Sequence, residues 1–265
     1  MNAKRARTVP RKRFGQHFLH ERGVIERIVR SINPQPGDVL VEVGPGEGAL
    51  TRPLLECVPR MDAIEIDRDL AARLAAEFPP SRLILHVADV LDFDFSIFPE
   101  GMRVVGNLPY NISTPMLFHL ARYAARVRDM HFMLQLEVVE RMVAKHSTKE
   151  YGRLSVMLQT KFRMDKLFRV PAGAFTPPPK VESAVVRLVP RSARGLEQVD
   201  EKVFRTMVAA AFSARRKTLR NALAKWFDEA ALRALGFDPK LRPENLSPDD
   251  YLRLARHAGS ACQSC

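Results

Sequence analysis

Apolar residues in this chain switch between two spacings, and the switches mark out its elements. Val24, Ile25, Ile28, Val29 and Ile32 recur at helical spacing, and Pro34 and Gly37 end that helix. Short apolar runs then alternate with helix-forming stretches. Val39 to Val43 reads as a buried strand followed by a glycine turn and a helix starting near Ala49. Met61 to Ile66 is a second strand, followed by a helix over Asp69 to Glu77. Leu83 to Val87 is a third strand and Arg103 to Gly106 a fourth; a helix over Met116 to Ala125 leads to a fifth at Met130 to Leu136. Strands that alternate with helices in this way predict right-handed crossovers and a parallel sheet covered on both faces.

The next stretch is less regular. Leu154 to Phe162 predicts a helix, and Lys166–Val170 and Ser183–Val189 predict two further strands around the stiff loop from Phe175 to Lys180. Past Pro190 only helical patterns remain: one stripe of Phe204, Met207, Val208, Ala211 and Phe212, and another of Leu219, Ala222, Leu223 and Trp226. Ser247 ahead of Pro248, Asp249 and Asp250 reads as a helix N-cap. The expected organisation is an α/β domain over residues 1–190 and a small all-helical domain over residues 191–265.

Composition narrows the function classes. A chain of 265 residues, 46% hydrophobic, can bury a sizeable core. No apolar run approaches membrane-spanning length, and the basic start (Arg5, Arg7, Arg11, Lys12, Arg13) is not followed by the apolar stretch of a signal peptide, so a cytoplasmic protein is expected. Cys262 and Cys265 fall short of a zinc ligand set, and no metal is expected. The formal net charge of +12 favours a polyanionic partner.

Candidate chemistry collects at the ends of successive strands. The turn Gly44-Pro45-Gly46-Glu47-Gly48 lets the backbone approach a ligand, and the helix start after it offers N–H groups to an anion. That suits a dinucleotide pyrophosphate as well as the carboxylate of S-adenosylmethionine. Glu65, at the end of the second strand, can accept ribose hydroxyl protons, and Asp89, after the third, can accept from an adenine amine.

The fourth strand ends in Asn107-Leu108-Pro109-Tyr110, which resembles the signature of methyltransferases that modify exocyclic amines. An adenine amine is a poor nucleophile because its lone pair is delocalised into the ring. Acceptors aimed at its N–H groups favour a pyramidal nitrogen and stabilise the charge that develops during attack. Asn107 and the Leu108 carbonyl supply them, Pro109 fixes the turn, and Tyr110 offers a stacking face for an extruded base.

Nearly the whole chain resembles the bacterial 16S ribosomal RNA adenine dimethyltransferases. The resemblance is carried by Arg11 to Leu19, the glycine turn, Ile64 to Asp67, Asn107 to Ser113, Tyr151 to Leu154, Phe175 to Val181 and Arg215 to Asn221. It implies a Rossmann-like class I S-adenosylmethionine-dependent methyltransferase sheet with a small RNA-binding helical domain. It also implies dimethylation of two adjacent adenosines in a 16S rRNA hairpin loop of the small subunit, in a monomeric protein that acts in ribosome biogenesis. Carried over by position, His17, Leu19, Gly44, Gly46, Glu65, Asp89 and Asn107 are expected cofactor contacts. His17 is a departure, since many relatives carry Asn there. Phe175 is the expected second aromatic face opposite Tyr110, and Arg215, Arg216, Lys217 and Arg220 are expected phosphate contacts. A 23S rRNA methyltransferase of the macrolide-resistance type, a DNA adenine methyltransferase, a non-catalytic assembly factor and a dehydrogenase are the competing readings. A target-recognition domain for DNA is not visible.

Overall fold

The computed structural model describes residues 16–191 and 199–262. The basic arm from Arg5 to Arg13 and the side chains of Cys262 and Cys265 lie outside the described residues.

A two-residue strand β1 (Phe18–Leu19) leads into helix α1 (Arg22–Ile32), whose first N–H groups, at Gly23 and Val24, donate to the Glu21 carboxylate. Asn33 closes α1 in the left-handed conformation, with φ 48°. The alternating part follows as β2 (Leu40–Val43), α2 (Thr51–Cys57), β3 (Met61–Glu65), α3 (Arg68–Glu77), β4 (Leu83–Val87), β5 (Met102–Asn107), α4 (Ser113–Leu120) and β6 (Val127–Gln135). The predicted helix over Met116 to Ala125 starts three residues earlier and tightens into a 3-10 helix over Ala121–Arg126.

β2 pairs in parallel with β3 on one side and β5 on the other; β4 and β6 extend the two flanks. The strand order therefore reverses between β2 and β5, and ligands of open α/β sheets bind at such a switch point. All four residues of β2 are buried, the pattern of a strand covered on both faces.

The remaining elements of this region are α5 (Leu136–Val143), α6 (Arg153–Gln159), β7 (Phe162–Val170), β8 (Phe175–Thr176) and β9 (Ser183–Pro190). The sheet order is β4-β3-β2-β5-β6-β9-β7, and β9 runs antiparallel to β6. The parallel sheet expected of the five alternating strands is present as β4-β3-β2-β5-β6, and β9 joins its edge antiparallel. Between Val170 and Ser183 there is only a 3-10 turn and the short β8, so β9 follows β7 without a helical crossover. Phe162, expected to close a helix, opens β7 instead. β8 pairs with β1, setting Leu19 opposite Phe175 and Phe18 opposite Thr176.

A cluster of charged groups sits inside the sheet. The Arg103 guanidinium, 4% exposed, makes a two-pronged contact with Asp129 at 2.8 and 3.0 Å. It also reaches Asp38 at 2.6 Å and the Ile32 carbonyl at 2.6 Å. The C-terminus of α1 is thereby tied to β5 and β6. Next to it, burial pushes the His131 imidazole down to about 4, so it is neutral near pH 7.

By their internal contacts the residues form two compact units. The first comprises Met1–Val139 with Asp165–Val189, the second Glu140–Met164 with Pro190–Cys265. The helical unit is discontinuous in sequence, where a continuous stretch from residue 191 was expected. It holds α6, α7 (Glu201–Ser213), α8 (Leu219–Ala222), α9 (Glu229–Ala234) and α10 (Pro248–Cys262). Tyr151 supplies the reason. Fully buried, it donates to the Leu246 carbonyl at 2.9 Å and meets the Phe212 ring edge-on, which draws the segment around α6 into this unit.

The α7 stripe is buried as its spacing predicts at Phe204, Met207, Val208 and Ala211. The next stripe is buried at Leu219, Ala222 and Leu223 and departs only at Trp226. α8 ends at Ala222, and the following turn buries Phe227 rather than Trp226. Ser247 Oγ accepts from the Asp250 N–H at 3.1 Å, and the Asp250 carboxylate accepts from the Ser247 N–H at 3.0 Å; the two caps reciprocate.

Candidate active site

The glycine turn leaves the end of β2 with Gly44 and Gly46 at φ 66° and 57°, conformations in which an L side chain is strained. A Cβ on Gly46 would also meet the Phe18 ring at 3.4 Å. Gly44 donates its N–H to the Ile64 carbonyl at 2.9 Å, and Gly46 donates to Glu65 Oε2 at 3.1 Å. The other Glu65 oxygen accepts the Asp67 N–H at 2.9 Å. These bonds fix a carboxylate that is only 4% exposed at the tip of β3. Burial raises its pKa and the two N–H groups oppose the rise. α2 begins two residues later than expected, because Gly48 and Arg52 N–H groups close turns onto Pro45 and Gly48.

A second acid lies beside the turn. Glu42, on β2, is 2% exposed and accepts from Thr51 Oγ1 at 2.6 Å. Burial, with Glu65 nearby and against the Thr51 bond, pushes its carboxyl up to about 7. Glu42 and Glu65 both line one cavity, together with Gly44, Gly46, Asp89 and Asn107. Asp89 is exposed, and its Oδ1 accepts the Leu91 N–H at 2.9 Å.

Asn107 closes β5 and lines this cavity. Its Nδ2 donates to the His17 main-chain oxygen at 3.1 Å, while Oδ1 accepts no bond from the described residues. Leu108 buries its side chain, 1% exposed, and donates its N–H to the Met133 carbonyl at 3.1 Å. The Pro109 carbonyl accepts from the Ile112 N–H at 3.2 Å and from Ser113 Oγ at 2.9 Å, which closes the turn before α4. The Tyr110 hydroxyl bonds Ser183 Oγ at 2.6 Å, and burial pushes its phenol above the ordinary range, so it stays neutral.

His17 and Leu19 line the same cavity. The His17 ring stacks on Tyr110, with centroids 5.5 Å apart and planes 27° from parallel. Its Nδ1 lies 2.8 Å from the Pro177 carbonyl, which can only accept, so Nδ1 carries a proton. Phe175 is corrected. It is 2% exposed and packs in the hydrophobic core with Leu19, because the β1–β8 register turns Phe175 inward and Thr176 outward. The ring that faces Tyr110 is His17. Glu42, Thr51 and Ser183 were missed by sequence reading. A lone acid inside the apolar run of β2 was a signal for Glu42; the other two carried none.

The four basic residues after α7 divide. Arg215 pairs with Glu244 at 2.5 Å and donates to the Lys149 carbonyl at 2.8 Å, and Arg220 pairs with Glu229 at 3.1 Å. Arg216 and Lys217 are exposed and have no side-chain partner among the described residues.

Comparison with known proteins adds an independent finding. Residues 8–258 match the family described as Ribosomal RNA adenine dimethylase. Ribosomal RNA small subunit methyltransferase A of Thiobacillus denitrificans is 59% identical over 242 residues, covering 91% of this chain and 95% of that protein. The protein of the same name from Chromobacterium violaceum is 56% identical and covers 94% and 95%. Among solved structures, a dimethyladenosine transferase from Plasmodium falciparum superposes with a TM-score of 0.78 at 26% identity, covering 90% and 96%. The 23S rRNA methyltransferase ErmE superposes with a TM-score of 0.68 at 28% identity, covering 91% and 99%.

Proposed function

Because the chain belongs to the ribosomal RNA adenine dimethylase family, we propose that it dimethylates the N6 amines of two adjacent adenosines in a hairpin loop of small-subunit rRNA. It is an S-adenosylmethionine-dependent rRNA adenine methyltransferase. Its substrate is the RNA of the small subunit, met by a monomeric protein without a DNA partner, in ribosome biogenesis.

The cavity suits the cofactor on its own terms. Ile66, a large apolar side chain left 44% exposed at the cavity wall, offers its surface to an adenine face. Glu65 is already oriented by two N–H groups and keeps lone pairs for hydroxyl donors, while Asp89, joined by Glu42 as pH rises through about 7, supplies negative charge to a cationic ligand. S-adenosylmethionine, when bound, supplies an electrophilic methyl carbon on a sulfonium centre. Gly44, Gly46, His17 and Leu19 then form the remaining walls.

The observation that carries the reading is the bond from Asn107 Nδ2 to His17. It commits the donor end of the amide and leaves Oδ1 to accept from the target amine. The Leu108 carbonyl is the second acceptor, and Tyr110 stacks on the extruded base. Preorganised contacts of this kind contribute about 3 kcal/mol each. Alignment of amine and methyl carbon contributes roughly 7–11 kcal/mol more. The neutral Tyr110 takes no proton, and water receives the amine's proton after attack. Arg216 and Lys217 contact phosphates, while Arg215 and Arg220 shape the segment that presents them.

Incubation with labelled S-adenosylmethionine and undermethylated small subunits, followed by nuclease mapping, tests this. Label at two adjacent adenosines of one small-subunit loop is expected. Label on the large subunit instead would move the chain to the 23S class.

A further inference from the structure

We propose that Ser183 is a positioning residue for the target adenine, its buried hydroxyl setting the plane of the Tyr110 ring on which the base stacks. This rests on Tyr110 being the stacking platform. Tyr110 lies in the loop after β5, the kind of segment whose side chains are free to reorient, and a phenol ring has two rotatable bonds before it. Two contacts remove that freedom. The tip of the ring bonds Ser183 Oγ at 2.6 Å, and one face lies against His17, itself held by the Pro177 carbonyl at 2.8 Å.

Ser183 is a firm anchor. It is fully buried, opens β9, and sits opposite Gln135 at the end of β6, inside the seven-stranded sheet. The neighbouring Leu136 N–H donates to the Glu182 carbonyl at 2.9 Å, so the backbone beside Ser183 is pinned as well. The arrangement transfers the rigidity of the sheet to a loop ring 73 positions away in sequence. A hydroxyl serves here because the phenol oxygen, in a half-buried place, needs a partner in water's stead. The ring plane in turn fixes the plane of the stacked base, and with it the direction in which the amine presents its lone pair. A misplacement of roughly 1 Å costs on the order of 10²-fold in rate.

The test uses Ser183→Ala, Ser183→Thr, Tyr110→Phe and the double variant Ser183→Ala/Tyr110→Phe in the full chain. The readouts are methylation kinetics on undermethylated small subunits, calorimetric affinity for S-adenosylmethionine, and thermal stability. Ser183→Ala is expected to lower kcat about 10- to 100-fold. Cofactor affinity should stay within about twofold, and Ser183→Thr, which keeps the hydroxyl, should restore most of the rate. Each single variant strands one buried hydroxyl and loses stability, whereas the double variant removes both and regains it. Methylation in the double variant should stay low, which separates positioning from stability. The proposal is overturned if methylation recovers along with stability, if Ser183→Thr is as impaired as Ser183→Ala, or if Ser183→Ala keeps kcat within about twofold. A native protein that leaves small subunits unlabelled would instead sink the functional reading itself.

Discussion

The amide nitrogen of Asn107 is bound to the main-chain oxygen of His17 at 3.1 Å, and that contact settles which end of the amide is available for chemistry. Replacing the amide by a carboxylate sets two acceptors against each other. Asn107→Asp and Asn107→Ala are both expected to lower kcat by about 10²–10³. Thermal stability should fall by no more than a modest amount, since Asn107 is only partly buried. Single-turnover methylation and a melting curve check this together.

Glu42 gives the fold a pH signature. Its carboxyl titrates near 7 in the folded chain against 4.5 ordinarily, so the folded state holds the proton more tightly than the unfolded one. The stabilisation from this group is therefore complete below pH 4.5 and is lost as pH rises through 7. Glu42→Gln mimics the neutral form and should remove that loss, on the order of 3 kcal/mol in favour of the variant at pH 8. Urea unfolding of both proteins at pH 5 and pH 8 measures it. The same variant should bind the cationic donor less tightly at pH 8, because a negative charge has gone from the cavity.

Arg103 predicts a large, site-remote effect. Arg103→Ala takes the buried guanidinium from Asp129 and Asp38, leaving Asp38 with Arg128 at 2.8 Å and Asp129 with Arg187 at 3.6 Å. A loss of about 3–5 kcal/mol in unfolding free energy is expected, with cofactor affinity intact in whatever fraction stays folded. Denaturant titration alongside calorimetry separates the two.

Among the basic residues the structure predicts a division of labour. Arg216→Ala/Lys217→Ala should weaken rRNA binding and flatten its salt dependence by about two contacts, with the melting temperature unchanged. Arg215→Ala breaks the pair with Glu244 and should lower the melting temperature as well. Filter binding over a salt series gives the slope.

The parts of this molecule that were legible in the sequence are those whose geometry is written into consecutive residues. The glycines of the turn, the acid closing β3 and the Asn-Leu-Pro-Tyr run each specify a local backbone shape at a strand end, and the structure brings all three to one cavity. Long-range partners were not legible. Nothing near Tyr110 announces Ser183, and nothing near His17 announces Pro177, because such pairings depend on how β8 and β9 return to the sheet. Phe175 shows the same gap: an aromatic before a proline run offers no sign of which face of β8 it occupies. Arg103 read only as the start of a strand, since the charges around it come from positions 38 and 129.

The pairing of β1 with β8 makes the cavity wall at His17 depend on a segment 160 positions away in sequence. The segment around position 176 lies outside the cavity lining, yet the Pro177 carbonyl holds the His17 ring that stacks on Tyr110. The main-chain oxygen of the same His17 accepts from Asn107 Nδ2, so a change in the chain after Val170 reaches the amide through one residue beside β1.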